Sequence, residues 1–165
     1  MVQRIAVVLL CVAAIACGGE APETVPAPPS SESAAAAADD DGHAHTAPHG
    51  GVLVELGDHF AFLEVVLDPD AGSLTAYVLD AGAEQAVRIA QPSISVTFET
   101  PQALAGQTLV LAAKANVLTG ETVGDTSEFS VMHPAFKGQT MLAALVGELT
   151  VKGQPFKDLA VAKLK

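Results

Sequence analysis

Residues 43–64 read HAHTAPHGGVLVELGDHFAFLE, and the part that decides the fold begins at Val52. Val52–Leu56 is a short apolar run. Gly57-Asp58 is a turn signal, and His59–Leu67 is a second run built from Phe, Leu and Val. Two such runs joined by two turn-forming residues predict an antiparallel hairpin. Four of the chain's five histidines, His43, His45, His49 and His59, lie at or before the turn of this hairpin.

The same grammar continues downstream. Asp68-Pro69-Asp70-Ala71-Gly72 is a turn signal. Ser73–Leu79 alternates Leu74, Ala76 and Val78 against Thr75, Tyr77 and Leu79. Val87–Ala90 is short, and Ile94–Phe98 alternates again. Thr108–Ala115 is apolar and expected near the centre of a sheet. Glu128–Val131 is brief, Met141–Val151 is long, and Lys152-Gly153 turns into Pro155–Lys163. This pattern predicts an all-β domain over residues 49–165, a single antiparallel β-sandwich of Ig-like type with about 7–9 short strands. A helix competes at Gly138–Val146, where Met141, Leu142, Leu145 and Val146 have helical spacing. Gly147 and the hairpin after it favour strand.

Strand parity adds a chemical anomaly. Side chains alternate faces along a strand, so Phe60, Phe62, Glu64 and Val66 share one face of the second run. His59, Ala61, Leu63, Val65 and Leu67 share the other. A carboxylate beside two phenylalanines must be at an edge, protonated or paired. On this parity His59 and Glu64 serve one site only if a bulge follows Gly57-Asp58.

The first forty-odd residues read as export and tether. Met1–Arg4 carries one positive charge and Ile5–Ile15 is apolar, too short to span a bilayer but of signal-peptide length. Ala16 directly precedes Cys17, which resembles a bacterial lipobox. The expectation is a signal peptide over residues 1–16 and lipidation of Cys17; the plainer alternative is an ordinary cleaved signal. Acyl chains on Cys17, palmitate among them, would anchor the protein in the membrane. No aspartate follows Cys17, which favours an outer-membrane lipoprotein facing the periplasm. Residues 17–48 form a Pro-, Ala-, Asp- and His-rich linker with too little apolar surface to fold, and are expected to be disordered. Its Asp39, Asp40 and Asp41 beside His43 and His45 read as a solvated acidic run, or as a loose cation-collecting arm.

Composition narrows the chemistry. The net charge is −11, and loss of Arg4 with residues 1–16 takes it to −12. That argues against nucleic acid and anionic headgroups as partners. Both cysteines, Cys11 and Cys17, precede the domain, so a disulfide, a thiol nucleophile and a thiolate metal site are excluded there. No phosphate loop, nucleophile elbow or HExxH motif is present, and no enzyme activity is expected. Imidazole and carboxylate suit Zn²⁺ or Cu²⁺. The metal candidates are His49, Glu64 and His133, with His43 and His45 as weaker candidates on the arm. Hairpin geometry brings His49 near residues 64–66, whereas His133 joins only if its loop reaches the same end. Taken singly, each has an ordinary reading as a loop, edge or turn residue.

His49-Gly50-Gly51, Gly57-Asp58 and Glu64 together resemble the HGG…G(D/N)…E pattern of small exported bacterial β-domains. Some of these are lipoproteins, and some are similar to domains associated with heavy-metal efflux adaptor proteins of the copper/zinc/silver type. Ser127-Glu128-Phe129, His133 and Lys137-Gly138 are similar to a later segment of that pattern, with Phe136 where leucine is usual. The resemblance covers residues 49 to about 151. It implies a periplasmic domain linked to divalent metal handling or resistance, with an efflux-system component as a partner, and points to His49, Glu64 and His133. The alternative is a metal-independent interaction or structural module of the cell envelope.

Overall fold

The computed structural model describes residues 45–162. The expected signal peptide, Cys17, His43 and the aspartates of the arm lie outside the described residues.

The described chain is all-β. Its strands are β1 (Val52–Leu56), β2 (Ala61–Asp68), β3 (Ser73–Leu79), β4 (Ser93–Thr100), β5 (Thr108–Ala113), β6 (Glu128–Met132), β7 (Ala143–Val146), β8 (Leu149–Val151), β9 (Gln154–Phe156) and β10 (Leu159–Ala162). Eight of them form one antiparallel sheet in the order β1-β2-β3-β6-β5-β4-β7-β10, and β8 and β9 form a separate hairpin. β1 also lies against β10, so the sheet curls back on itself and encloses the core. One curled sheet thus does what the two faces of a sandwich do. Leu63, Leu74, Phe98, Leu111, Phe129 and Phe136 are among the fully buried side chains inside it.

Alternation explains most strands. β3 buries Leu74, Ala76 and Val78, and β4 buries Ile94, Val96 and Phe98, as their period of two predicts. β5 lies between β4 and β6, well inside the sheet. Three stretches differ from the sequence reading. Met141–Val151 holds two strands, Ala143–Val146 and Leu149–Val151, interrupted at Gly147-Glu148, and an added Cβ at Gly147 would strike the Ser95 hydroxyl. Pro155–Lys163 is broken by Asp158, whose φ is +51°. Val87–Ala90 makes no strand, only the isolated pairing Ile89↔Thr126. The helical spacing at Gly138–Val146 yields strand β7, since Leu142, Ala144 and Val146 point inward while Leu145 is partly exposed.

β2 breaks the alternation rule. Ala61, Leu63 and Val65 enter the main core, yet Phe62 and Glu64 on the opposite face are buried too. Phe62 belongs to a smaller cluster with Leu79 and Ala83. The cover on this outer face comes from residues 45–51: the His45 ring packs on Phe62 and the His49 ring on Tyr77.

Candidate functional site

The covering segment is fixed by Glu64. Its side chain is 0% exposed, and β2 pairs it with Leu53 of β1 and Tyr77 of β3. Oε1 accepts the backbone N–H groups of His49 at 2.8 Å and Gly51 at 2.9 Å. Oε2 accepts Nδ1–H of His49 at 2.7 Å. The His49 ring stacks flat on Tyr77, with centroids 3.8 Å apart and planes 10° from parallel. Burial, then the nearby Glu128 and Glu64 carboxylates, push the Tyr77 phenol above its usual pKa.

The two glycines make this geometry possible. Gly50 has φ +74°, the left-handed region that costs glycine nothing. At Gly51 a Cβ would collide with the Val65 carbonyl oxygen. The expected approach of His49 to Glu64 is therefore present, and the pairing that a buried carboxylate requires is met. Both oxygens of Glu64 are already occupied by the turn it closes. With Nδ1–H of His49 committed to Glu64, Nε2 is the nitrogen left to other partners.

His133 does not join this pair. Its N–H bonds to the carbonyl of Gly72, whereas Tyr77, under His49, lies further along β3. At the rise of a strand the separation is about 17 Å. Nδ1 of His133 accepts the Ala135 N–H at 3.2 Å and so caps the 3₁₀ turn Pro134–Phe136.

A different group converges at the β1–β2 turn. The turn takes four residues, Gly57–Phe60, since Leu56 pairs with Ala61. His59 therefore lies in the turn, not in the strand, with φ +49°. This corrects the parity assigned to it: its ring is 6.2 Å from Phe62 and so on the Glu64 side of β2. Glu55 Oε1 accepts the His59 N–H at 2.7 Å and sits 3.0 Å from its Nδ1; Asp58 Oδ1 is 3.6 Å from the same nitrogen. Glu55, Asp58 and His59 each offer a ligand atom, all within 4.8 Å of one another. The His45 ring lies 5.7 Å from that of His59. Glu55 and Asp58 escaped the sequence reading because a two-residue turn would have splayed them. The signal was the four-residue spacing of Glu55 and His59 around Gly57-Asp58.

A second buried carboxylate, Glu121, is wholly structural. Its oxygens accept Ser127 N–H at 2.9 Å, Ser127 Oγ–H at 2.5 Å and Thr119 Oγ–H at 2.7 Å. Burial works against its charge, but these bonds and the Arg88 guanidinium hold its pKa below the usual value.

No family model matches this chain, and neither a curated protein nor a solved structure matches it.

Proposed function

We propose that the protein is an exported, lipid-anchored cell-envelope domain that binds a divalent heavy-metal ion, as an accessory to metal homeostasis or efflux. The observation that carries this reading is the convergence of Glu55, Asp58 and His59 on one turn, with their donor atoms within 4.8 Å of one another. Ion binding needs several donors brought together in advance, and a tight turn with a left-handed His59 does that at little entropic cost. The leader, the lipobox-like Ala16-Cys17 and the acidic, cysteine-free mature chain support the envelope setting. This reading prefers the β1–β2 turn to the expected pair His49 and Glu64, because both oxygens of Glu64 already accept hydrogen bonds from residues 49–51.

The test is thermal denaturation of the purified chain with and without Zn²⁺ or Cu²⁺. A ligand that binds only the folded state raises the melting temperature. The combined substitution Asp58→Ala and His59→Ala should abolish the rise. Absence of any rise in the unsubstituted chain sinks the proposal. A metal-independent docking module is the second reading. It draws on the β5–β6 connection, where Val117 and Leu118 are 95% and 93% exposed. Truncating these two side chains should then release a co-purifying partner and leave ion binding intact.

A further inference from the structure

We infer that the ion is shared between two imidazoles, His59 of the β1–β2 turn and His45 of the incoming segment, with Glu55 and Asp58 as the oxygen donors. The ion then clasps the last part of the tether onto the domain. This rests on the reading of the turn as a cation site, and adds its donor class and its mechanical consequence.

The tautomers follow from the hydrogen bonds. Nδ1 of His45 lies 3.2 Å from the carbonyl oxygen of Gly82. A carbonyl only accepts, so the proton sits on Nδ1 and the lone pair on Nε2. That Nε2 is buried and has no hydrogen-bond partner among the described residues. Nδ1 of His59 faces the carboxylates, 3.0 Å from Glu55 Oε1 and 3.6 Å from Asp58 Oδ1, and is the nitrogen that would share an ion with them. An imidazole whose far N–H is tied to a carbonyl or carboxylate is the arrangement that orients a metal-bound histidine and strengthens it as a donor.

The rings are spaced for a shared ion, but the His45 nitrogens lie outside the 4.8 Å group formed by Glu55, Asp58 and His59, so the His45 ring would have to turn toward it. Two imidazoles on one ion, each at 2.0–2.1 Å, place their ring centroids about 5–6 Å apart. The centroids of His45 and His59 are 5.7 Å apart. Phe62 packs against both rings, tilted to His45 at 4.7 Å and edge-on to His59 at 6.2 Å, and supplies an apolar wall. Two imidazoles with carboxylates select Zn²⁺, Cu²⁺ or a neighbouring transition ion. Ca²⁺ and Mg²⁺ prefer oxygen donors throughout and would use Glu55 and Asp58 without His45.

His45 reaches the turn from the N-terminal side of the His49–Glu64 clamp. An ion between His45 and His59 therefore extends the ordered contact of this segment beyond the clamp. Binding at the turn would then add a metal-held contact to the Gly82 and Phe62 contacts that already seat His45.

The experiment compares the full chain with His45→Ala, His59→Ala and His43→Ala. Calorimetric titration with ZnCl₂ and CaCl₂ gives affinity; nitrogen hyperfine structure in the Cu²⁺ electron paramagnetic resonance spectrum counts imidazoles. Hydrogen exchange at Thr46 and Ala47 reads the clasp. Unsubstituted protein should show two equatorial nitrogens and slower exchange on binding. His45→Ala should weaken Zn²⁺ binding by at least about tenfold, lose one nitrogen and lose the metal-dependent slowing. His43→Ala should behave like the parent. If His45→Ala keeps its Zn²⁺ affinity while His59→Ala loses it, the clasp is wrong and the turn site stands. If binding survives His59→Ala but fails in His43→Ala, the ion sits on the arm and the inference is overturned. If the unsubstituted chain binds no ion, the proposed function falls with it.

Discussion

Two carboxylate–imidazole pairs lie within one hairpin, and they differ in what they leave unspent. Glu64 and His49 form a closed pair: the carboxylate is fully buried, both oxygens are filled, and the ring is stacked on Tyr77. Glu55 and His59 form an open one: one carboxylate oxygen orients the histidine, and Asp58 and His45 stand beside it. Short distance alone does not distinguish structure from chemistry. The number of donors still free after the local backbone has been satisfied does. By that measure Glu64 clamps the segment before β1, and the turn is where the proposed ion binding would reside.

The contrast can be broken by substitution. Glu64→Ala should be the most damaging change, costing about 3 kcal/mol, because two part-buried N–H groups and one imidazole lose their acceptor and a cavity opens in place of a fully buried side chain. Chemical denaturation measures this. A loss below 1 kcal/mol would show that Glu64 does not clamp the segment. Gly51→Ala should follow at about 1–3 kcal/mol, since the Val65 carbonyl must move to admit the methyl group. His59→Gly should be the reverse kind of variant. It removes the positive-φ strain of a side chain and leaves metal-free stability within about 0.5 kcal/mol, yet it should abolish the metal-induced rise in melting temperature.

The smallest effect concerns Glu121. Its folded pKa is lowered, so its stabilising contribution is present above the ordinary carboxylate pKa and is lost as pH falls through the folded value. The melting temperature of Glu121→Gln should lie below that of the parent at neutral pH, and the gap should narrow on acidification. A gap that widens in acid would mean that the hydrogen bonds of Glu121 do not favour its charged form.

Much of this was legible beforehand. Alternation at Leu74, Ala76 and Val78, and at Ile94, Val96 and Phe98, reports directly on which face meets the core. The misplaced Glu64 announced that something must cover the outer face of β2, and His49-Gly50-Gly51 was near enough in sequence to be that cover. What stayed hidden depends on backbone detail that residue types do not encode. Whether Gly57-Asp58 turns in two residues or four decides which side His59 faces. Lengthening the turn by two residues leaves strand parity unchanged but takes His59 out of the strand, and its left-handed backbone then puts its ring beside Phe62 and His45. The position of His133 depends on long-range strand order, which local periodicity does not contain.

The near-closure of the sheet has a kinetic meaning. β1 and β10 are neighbours in space although they lie at opposite ends of the described chain. Such non-local neighbours form only after a large loop is closed, which slows folding and makes it concerted. The first strand has its flank exposed until the last has emerged, so no N-terminal fragment is a finished domain. β1 and β10 pack side by side without pairing, so each keeps one free strand edge.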